Sequence, residues 1–331
     1  MVTPFDEQGG LDLDGAVELA RWLVEHGSDA LVLAGTTGEG PVLADSEKLD
    51  LWRAVAEEVT VPVIAGTGTA DTAHSIELTR QAEKAGADGV LVVTPYYSRP
   101  SQAGLEAHFR AVADATRLPV ILYDIPGRTG RKIATDTLVS LARSVGNLVG
   151  VKDAAGDVVA SGRLVAGTPD GFELYSGDDA LTLPLMSIGA VGVISVASHW
   201  VGPELGAMIE AFRIGDVAGA RALNARLDAA VAFQSSETYP NPLPAKAVCR
   251  ALGLRVGQCR LPIGPATEEL DRLAADLVAS LGSPGGAGGA PTGGTGGAPT
   301  GGAATDGAPT GGAGGAPTGG LHVAPPGGAN G

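Results

Sequence analysis

Apolar positions recur with two different spacings along the first 282 residues. Short runs in which almost every residue is apolar or glycine predict buried strands, and longer segments with apolar residues every three or four positions predict amphipathic helices. The predicted strands span 30–34, 61–65, 89–93, 119–123, 148–152, 172–176 and 191–195. The predicted helices span 14–26, 45–58, 71–85, 102–115, 135–144, 157–166, 179–188, 203–214, 216–233, 242–253 and 266–281.

The alternation of strands and helices predicts an α/β fold with parallel strands joined by right-handed crossovers. Seven strands and a two-residue stub at Met1-Val2 make eight, the number that closes a (β/α)8 TIM barrel. We therefore predict a barrel over residues 1–214 with a truncated first strand. The last three helices exceed the barrel and form a predicted C-terminal helical extension over residues 215–282.

The composition of the chain changes at Ser283. From there to Gly331 the residues are almost all Gly, Ala, Pro and Thr, and GGAPTGG-like units recur. Such a segment buries too little apolar surface to offset the entropy lost on ordering. We therefore predict a disordered low-complexity tail at 283–331.

The charge of the chain limits its partners. A net charge of −15 argues against nucleic acid and anionic membranes. The apolar runs are too short to span a bilayer, and the N-terminus lacks a signal-peptide pattern, so we predict a cytoplasmic protein. The histidines and cysteines show no metal-ligand spacing and the chain has no nucleotide cradle, so we expect neither a metal nor a cofactor.

Lys152 closes the predicted strand 148–152 and has two interpretations. Its ammonium could extend past the strand end into water. Alternatively it points into a dry cavity, where desolvation favours the neutral amine, a nucleophile toward carbonyl groups. The residues at the other strand ends decide between these interpretations, because barrel chemistry lies at the C-terminal ends of the strands.

The strand ends near Lys152 carry hydroxyl groups and an arginine. Thr36 and Thr37, between glycines, could hold a carboxylate or form only a tight turn. The segment 66–69 resembles a phosphate loop weakly. Tyr97, its neighbour Tyr96 and Tyr123 could each be core residues, but three tyrosines on two neighbouring strand ends favour a proton relay. Arg128, in a loop held by Gly and Pro, could clamp a carboxylate or could simply be exposed.

The two remaining strand ends carry SGDD (176–179) and Val193-Ile194-Ser195. A lysine nucleophile among carboxylate binders and hydroxyl groups predicts a 2-oxo acid held as a Schiff base. Loss of a proton from the methyl group of that acid would give an enamine, which attacks a second carbonyl. This is class I aldolase chemistry.

Seven motifs occur in a fixed order: GTTGE (35–39), TPYYSRPSQ (94–102), LYDIPGRTG (122–130), GVKD (150–153), SGDD (176–179), GVISV (192–196) and NPLPAK (241–246). With these motifs, residues 1–280 resemble the dihydrodipicolinate synthase / N-acetylneuraminate lyase family of pyruvate-dependent aldolases. The resemblance implies condensation of pyruvate with aspartate 4-semialdehyde on the path to diaminopimelate and lysine. It also implies a homotetramer built as a dimer of tight dimers.

The resemblance implies catalytic roles for four residues. Lys152 would form the Schiff base and Tyr123 would donate and accept protons. Thr36 and Tyr97 would complete the relay, with Tyr97 reaching in from a neighbouring subunit.

Four further residues are implied to bind substrate. The Thr37 hydroxyl and backbone would hold the pyruvate carboxylate, with the Ile194 main chain nearby. Arg128 would bind the carboxylate of the semialdehyde at the cavity mouth, and Gly177 would also contact substrate. Arg128 favours this acceptor over the sugar acids of the family's lyases.

The chain departs from the family pattern at several positions. Asp124 and Gly127 stand where many relatives have Asn and Ser. Near the implied dimer interface, substitutions at the lysine-binding positions predict weak or absent feedback by lysine; these are Ala70, His74, Gly40-Pro41, Asp45 and Lys48.

Two alternatives to the condensation stay open. A sibling aldolase or dehydratase acting on sugar acids would share Lys152 and Tyr123 but use another acceptor. A non-catalytic barrel kept for binding or assembly would need none of the site residues, and the joint presence of five of them argues against it.

Overall fold

The computed structural model describes residues 1–282. The predicted tail at 283–331 lies outside the described residues. The core of the described part is one curled parallel sheet surrounded by helices, a TIM-barrel-like α/β fold. The predicted fold class is therefore confirmed.

The sheet of residues 1–282 has seven strands, and each is paired in parallel with the next strand along the chain. All seven strands overlap the predicted ones. They are β1 Leu31–Leu33, β2 Val63–Gly66, β3 Gly89–Val93, β4 Val120–Asp124, β5 Leu148–Asp153, β6 Glu173–Ser176 and β7 Gly192–Val193.

The stub at Met1-Val2 was predicted to be a truncated first strand that brings the number of strands to eight, and it does not form a strand. The amino group of Met1 donates to the Val32 carbonyl oxygen at 2.7 Å, and the Val2 N–H donates to His199 Nε2 at 3.1 Å. Both residues are buried in the core. Two residues fill the place beside β1 but are too few to build a ladder, so the eighth-strand prediction is wrong.

Twelve α-helices lie within residues 1–282. They are α1 Leu13–Glu25, α2 Asp45–Ala56, α3 Thr72–Lys84, α4 Gln102–Ala113, α5 Pro126–Thr129, α6 Thr135–Ser144, α7 Val158–Gly167, α8 Thr182–Met186, α9 Ser198–Arg213, α10 Val217–Ala232, α11 Leu243–Ala251 and α12 Glu268–Leu281. Helices α10–α12 fall within the predicted extension, whose boundary at residue 215 stays a prediction. None of the helices in the described part of the chain is long and apolar enough to cross a membrane.

The helices differ from the predicted ones in three places. The single turn α5 was not predicted, because four residues carry no helical period. The predicted helix 179–188 is a 3-10 turn at Asp179–Leu181 followed by α8. Helix α9 begins five residues before the predicted start, and non-helical dihedral angles at Val201 kink it just ahead of Pro203.

Six helices begin at side chains that cap their first turn. Each capping oxygen accepts from a backbone N–H two or three residues later, which stabilises a helix by about 1 kcal/mol. The capping residues are Asp12, Asp71, Ser101, Asp157, Asp216 and Thr267.

The alternation of side chains along β4 and β5 sets the position of the site. Leu122 and Val151 are fully buried in the layer between strands and helices. Because successive residues of a strand face opposite sides, Tyr123 and Lys152 face the interior of the curled sheet. Tyr123 packs there against Leu91 and Ile121.

Candidate active site

Lys152 and Tyr123 lie side by side at the C-terminal ends of β5 and β4. They are register partners, and Lys152 Nζ is 4.4 Å from the centre of the Tyr123 ring. The Lys152 residue is 8% exposed, so its side chain does not extend into bulk water. An amine and a phenol therefore share one buried wall inside the sheet.

The wall faces a cavity of about 460 Å³, a size typical of small-molecule sites. Six of the eight predicted site residues line it: Thr36, Thr37, Tyr123, Arg128, Lys152 and Gly177. Gly177 leaves room at the wall, because a Cβ there would lie 2.9 Å from the Cβ of Ala154.

The two other predicted residues do not line this cavity. Ile194 follows β7, where its N–H donates to the Ser176 carbonyl oxygen at 2.9 Å. Tyr97 is 95% exposed, and its backbone adopts a left-handed conformation with φ +73°. The structure of the single chain therefore brings together six of the predicted residues and leaves Tyr97 on the surface.

Asn241 is a cavity residue to which sequence reasoning gave no role. Its side-chain Nδ2 donates to Thr37 Oγ1 at 2.9 Å, and its backbone carbonyl oxygen accepts from Arg128 Nη2 at 3.2 Å. It is 7% exposed, and within residues 1–282 its Oδ1 has no hydrogen-bond partner. The sequence feature that could have revealed Asn241 is the polar amide at the start of the NPLPAK motif. This motif lies far along the chain from the strands that form the cavity.

The weak phosphate-loop interpretation of residues 66–69 is not supported by the contacts of that segment. A Cβ at Gly66 would lie 2.6 Å from the Ala34 carbonyl oxygen, so glycine is required by close packing of backbone. The Thr67 hydroxyl accepts from Thr79 at 2.9 Å, and that of Thr69 donates to the Asp71 carbonyl oxygen at 2.9 Å. The hydroxyl groups serve the fold.

Asp179, after β6, holds the segment that follows β7. Its carboxylate accepts from the Ser195 hydroxyl, from the Val196 N–H at 2.9 Å and from the Ala197 N–H at 3.4 Å. Burial raises the pKa of Asp179, and the hydrogen bonds and the charge of Lys152 oppose that rise. Asp179 thereby fixes the backbone beside Ile194, a role that the SGDD motif alone did not reveal.

A second pair of side chains lies behind Tyr123 and Lys152, facing the helices. Asp124 accepts from the Ile133 N–H at 3.1 Å, and burial raises its pKa to about 6. Asp153 is its register partner and accepts from the Ser161 hydroxyl at 2.6 Å. Each residue of the interior pair is thus followed by a buried carboxyl group.

A second cavity, of about 350 Å³, shares lining residues with the first, among them Thr36, Tyr123 and Arg128. Asp45 in its wall accepts from His74 Nε2 at 2.9 Å, and its carboxylate is 3.5 Å from Lys48 Nζ. Partial burial opposes ionisation of Asp45, but the hydrogen bond from His74 and the nearby charges outweigh it and lower its pKa. Asp45, His74 and Lys48 in the wall of this second cavity are therefore engaged with one another.

A metal centre is not formed by the described residues. Among residues 1–282, no cluster of three or more His, Cys, Asp or Glu side chains is arranged to hold a metal ion. Among the residues that line the cavity beside Lys152 are an amine, hydroxyl groups and a guanidinium.

Comparison with known proteins gives a consistent result. The model of the dihydrodipicolinate synthetase family matches residues 1–280. The 4-hydroxy-tetrahydrodipicolinate synthase of Moorella thermoacetica is 50% identical over 280 residues, which are 84% of this chain and 95% of that protein.

Two solved structures have the same fold. A dihydrodipicolinate synthase from Bacillus anthracis is 44% identical with a TM-score of 0.81, and the match covers 85% of this chain and 96% of that one. The crystal structure of DHDPS from Cyanidioschyzon merolae with lysine bound is also 44% identical with a TM-score of 0.81, and covers 83% and 94%.

Proposed function

The chain belongs to the dihydrodipicolinate synthetase family, and from that premise we propose how it acts. It condenses pyruvate with aspartate 4-semialdehyde to 4-hydroxy-tetrahydrodipicolinate, a step toward diaminopimelate and lysine. The observation at the site that carries this proposal is the buried pair of Lys152 and Tyr123 at the cavity wall. Lys152 Nζ lies 4.4 Å from the centre of the Tyr123 ring. No cofactor takes part in the reaction that we propose.

Lys152 provides the nucleophile. Its neutral amine attacks the keto carbon of pyruvate, and loss of water gives an iminium that withdraws electrons from the neighbouring methyl group. Loss of a methyl proton gives the enamine, whose carbon attacks the aldehyde carbon of the semialdehyde. The amino group of the former semialdehyde then attacks the imine carbon, which closes the ring, and the bond to Lys152 breaks as its nitrogen takes up a proton and leaves as the free amine for the next cycle.

Tyr123 moves the protons of these steps. Its ring stacks beside Lys152, so its hydroxyl lies at the same cavity wall where water is lost and the methyl proton leaves. Thr36 lines the cavity as well and passes protons onward from Tyr123.

Tyr97 completes the relay from a neighbouring subunit. It is almost fully exposed in the single chain, where it reaches neither Lys152 nor the cavity. Its backbone is left-handed, which costs about 1–3 kcal/mol in a residue other than glycine, and strain of this kind clusters at functional sites. Both features support an assembly in which Tyr97 enters a partner's site. We propose that this assembly is a homotetramer and that it acts in the cytoplasm.

Two cationic or polar anchors orient the substrates. Thr37, whose hydroxyl accepts from Asn241, holds the pyruvate carboxylate together with the Ile194 main chain. Arg128 binds the carboxylate of the semialdehyde, and Gly177 contacts substrate in the same cavity. One guanidinium nitrogen is already tied to the Asn241 carbonyl oxygen, so the arginine is held in place before the substrate arrives.

A two-substrate assay tests this function. The chain should turn over pyruvate with aspartate 4-semialdehyde and should not cleave sugar acids such as N-acetylneuraminate. Lys152→Arg should lose nearly all turnover and keep its melting temperature, because a guanidinium does not form the imine. Cleavage of sugar acids without condensation would instead identify a sibling aldolase, and neither activity would favour a non-catalytic barrel.

A further inference from the structure

The loop that carries Thr36 and Thr37 ends at Glu39, whose backbone is left-handed with φ +56°. The loop is closed by the Glu39 N–H, which donates to the Thr36 carbonyl oxygen at 3.1 Å. Glycine adopts this conformation without steric cost, and glutamate does not. Glu39 therefore adopts a backbone conformation that is unfavourable for glutamate.

The carboxylate of Glu39 is held by two partners from the predicted C-terminal extension. Its Oε1 is 2.8 Å from Lys246 Nζ, and its Oε2 accepts from the Arg260 N–H at 2.8 Å. The side chains of Lys246 and Glu39 are 0% and 1% exposed. The ammonium also donates to the Gln258 carbonyl oxygen at 2.9 Å and lies 4.0 Å from the centre of the Phe5 ring.

Stability alone does not account for such a pair. Removing two charges from water costs about as much as their attraction returns, and a well-packed apolar pair of the same size is often as stable. A buried ion pair does fix the direction in which two chain segments meet. Here it joins the loop after β1 to α11, two segments more than 200 residues apart along the chain.

The same stretch of chain holds the loop at a second point. Asn241, five residues before Lys246, donates to Thr37 Oγ1. The segment 241–246 thus contacts the loop at Thr37 and at Glu39, on both sides of Gly38. Neither Lys246 nor Glu39 lines the substrate cavity.

We propose that Lys246 and Glu39 are positioning residues for the reaction, acting through Thr36 and Thr37. Their ion pair sets where those two hydroxyl groups stand relative to Lys152. The segment 241–246 thereby helps to position the site. This inference rests on the proposed function, because Thr36 and Thr37 matter only if Thr37 binds pyruvate and Thr36 relays protons during its reaction.

Four variants separate positioning from stability. Lys246→Met and Glu39→Gln each remove one charge, and the double variant Glu39→Gln/Lys246→Met removes both. Asp271→Asn is the matched control, because it breaks the Arg250–Asp271 ion pair between α11 and α12 without touching the loop. Melting temperature, the steady-state constants for pyruvate and the rate of pyruvate trapping by borohydride are measured for each.

Each single variant should lower the melting temperature by roughly 10 °C, because the remaining charge is left buried without its partner. The double variant should recover most of that loss. In all three, kcat/KM for pyruvate should fall roughly 10- to 100-fold, with both a lower kcat and a higher KM, because a hydroxyl displaced by about 1 Å loses its alignment. Trapping by borohydride should slow in parallel, and Asp271→Asn should match the wild type.

A double variant with recovered stability and wild-type kcat/KM for pyruvate would overturn the inference, since the pair would then be purely structural. Parallel loss in Asp271→Asn would also overturn it. The wild-type assay reports separately on the proposed function: an inactive wild type overturns both, whereas an active wild type with unaffected variants overturns only this inference.

Discussion

At the scale of residues, the site is two layers deep. Tyr123 and Lys152 face the cavity, and the residues that follow them, Asp124 and Asp153, face the helices. The nearer layer performs the chemistry that we propose. The rear layer holds two neighbouring carboxyl groups, and burial there raises the pKa of Asp124.

Asp124→Asn should make the protein more stable at pH 8. Burial raises the pKa of Asp124 from 3.8 to about 6, so protonation of this group stabilises the fold below pH 4, and that stabilisation is lost as the pH rises through 6. The rise of the pKa from 3.8 to about 6 limits this contribution to about 3 kcal/mol, and we expect a gain of about 1–3 kcal/mol in the free energy of unfolding at pH 8.

Urea unfolding at pH 4 and pH 8 measures this gain, with Asp170→Asn at an exposed turn as the control. The advantage of Asp124→Asn should shrink at pH 4. A variant that is less stable than the wild type at both pH values would show that the carboxylate is needed in its charged form.

Arg128→Ala should weaken use of the semialdehyde far more than binding of pyruvate. A carboxylate loses about 2–3 kcal/mol when its charged hydrogen-bond donor is removed, so kcat/KM for the semialdehyde should fall roughly 30- to 150-fold. Arg143→Ala is a matched control, since Arg143 also donates to a backbone carbonyl, that of Gly167, but on the outer surface. Equal losses for both substrates would contradict the role given to Arg128.

At the scale of elements, the strands and most helices follow from local pattern. Every strand from β1 to β7 was predicted, because a parallel sheet covered on both faces requires unbroken apolar runs. Helix α9 was predicted to begin at Pro203, the favoured first residue of a helix, yet it starts earlier and bends at Val201. We attribute the earlier start to contacts made in the folded chain, which the local sequence pattern does not show.

Most of the candidate site could also be predicted, because strand ends converge in this fold whatever the loops contain. Six predicted residues line one cavity for that reason. Asn241 and the Glu39–Lys246 pair were missed, because they depend on α11 packing over the loop after β1. A contact between segments more than 200 residues apart along the chain leaves no periodic trace in one sequence.

Helix α7 is tied to β5 by one buried hydrogen bond, from the Ser161 hydroxyl to the Asp153 carboxylate. Ser161→Ala should lower the free energy of unfolding by about 1–3 kcal/mol, because it deprives a buried carboxylate of a donor. Ser140→Ala on the exposed face of α6 should change it by less than about 0.5 kcal/mol. Similar losses in both variants, measured by urea unfolding, would contradict this account of β5.

At the scale of the whole molecule, two cavities share several lining residues. Thr36, Tyr123 and Arg128 line both, so a ligand in the second cavity would touch residues of the proposed reaction. Asp45, the acidic group of the second cavity, is already paired with His74 and Lys48. A free amino acid with a cationic side chain would have to displace these partners.

Lysine should therefore inhibit weakly or not at all. We expect less than half inhibition at about 1 mM lysine in the condensation assay, with sodium chloride at equal ionic strength as the control. Strong inhibition below that concentration would mean that Asp45 gives up His74 and Lys48 readily, and would contradict the predicted absence of feedback.

The central claim is that the amine of Lys152 forms a covalent bond with pyruvate. Incubation of the full chain with pyruvate and borohydride, followed by mass spectrometry of its peptides, tests this most directly. The account predicts an irreversible addition confined to the peptide carrying Lys152, and none in Lys152→Arg. Full condensation activity with no addition, or an addition at another lysine, would contradict it.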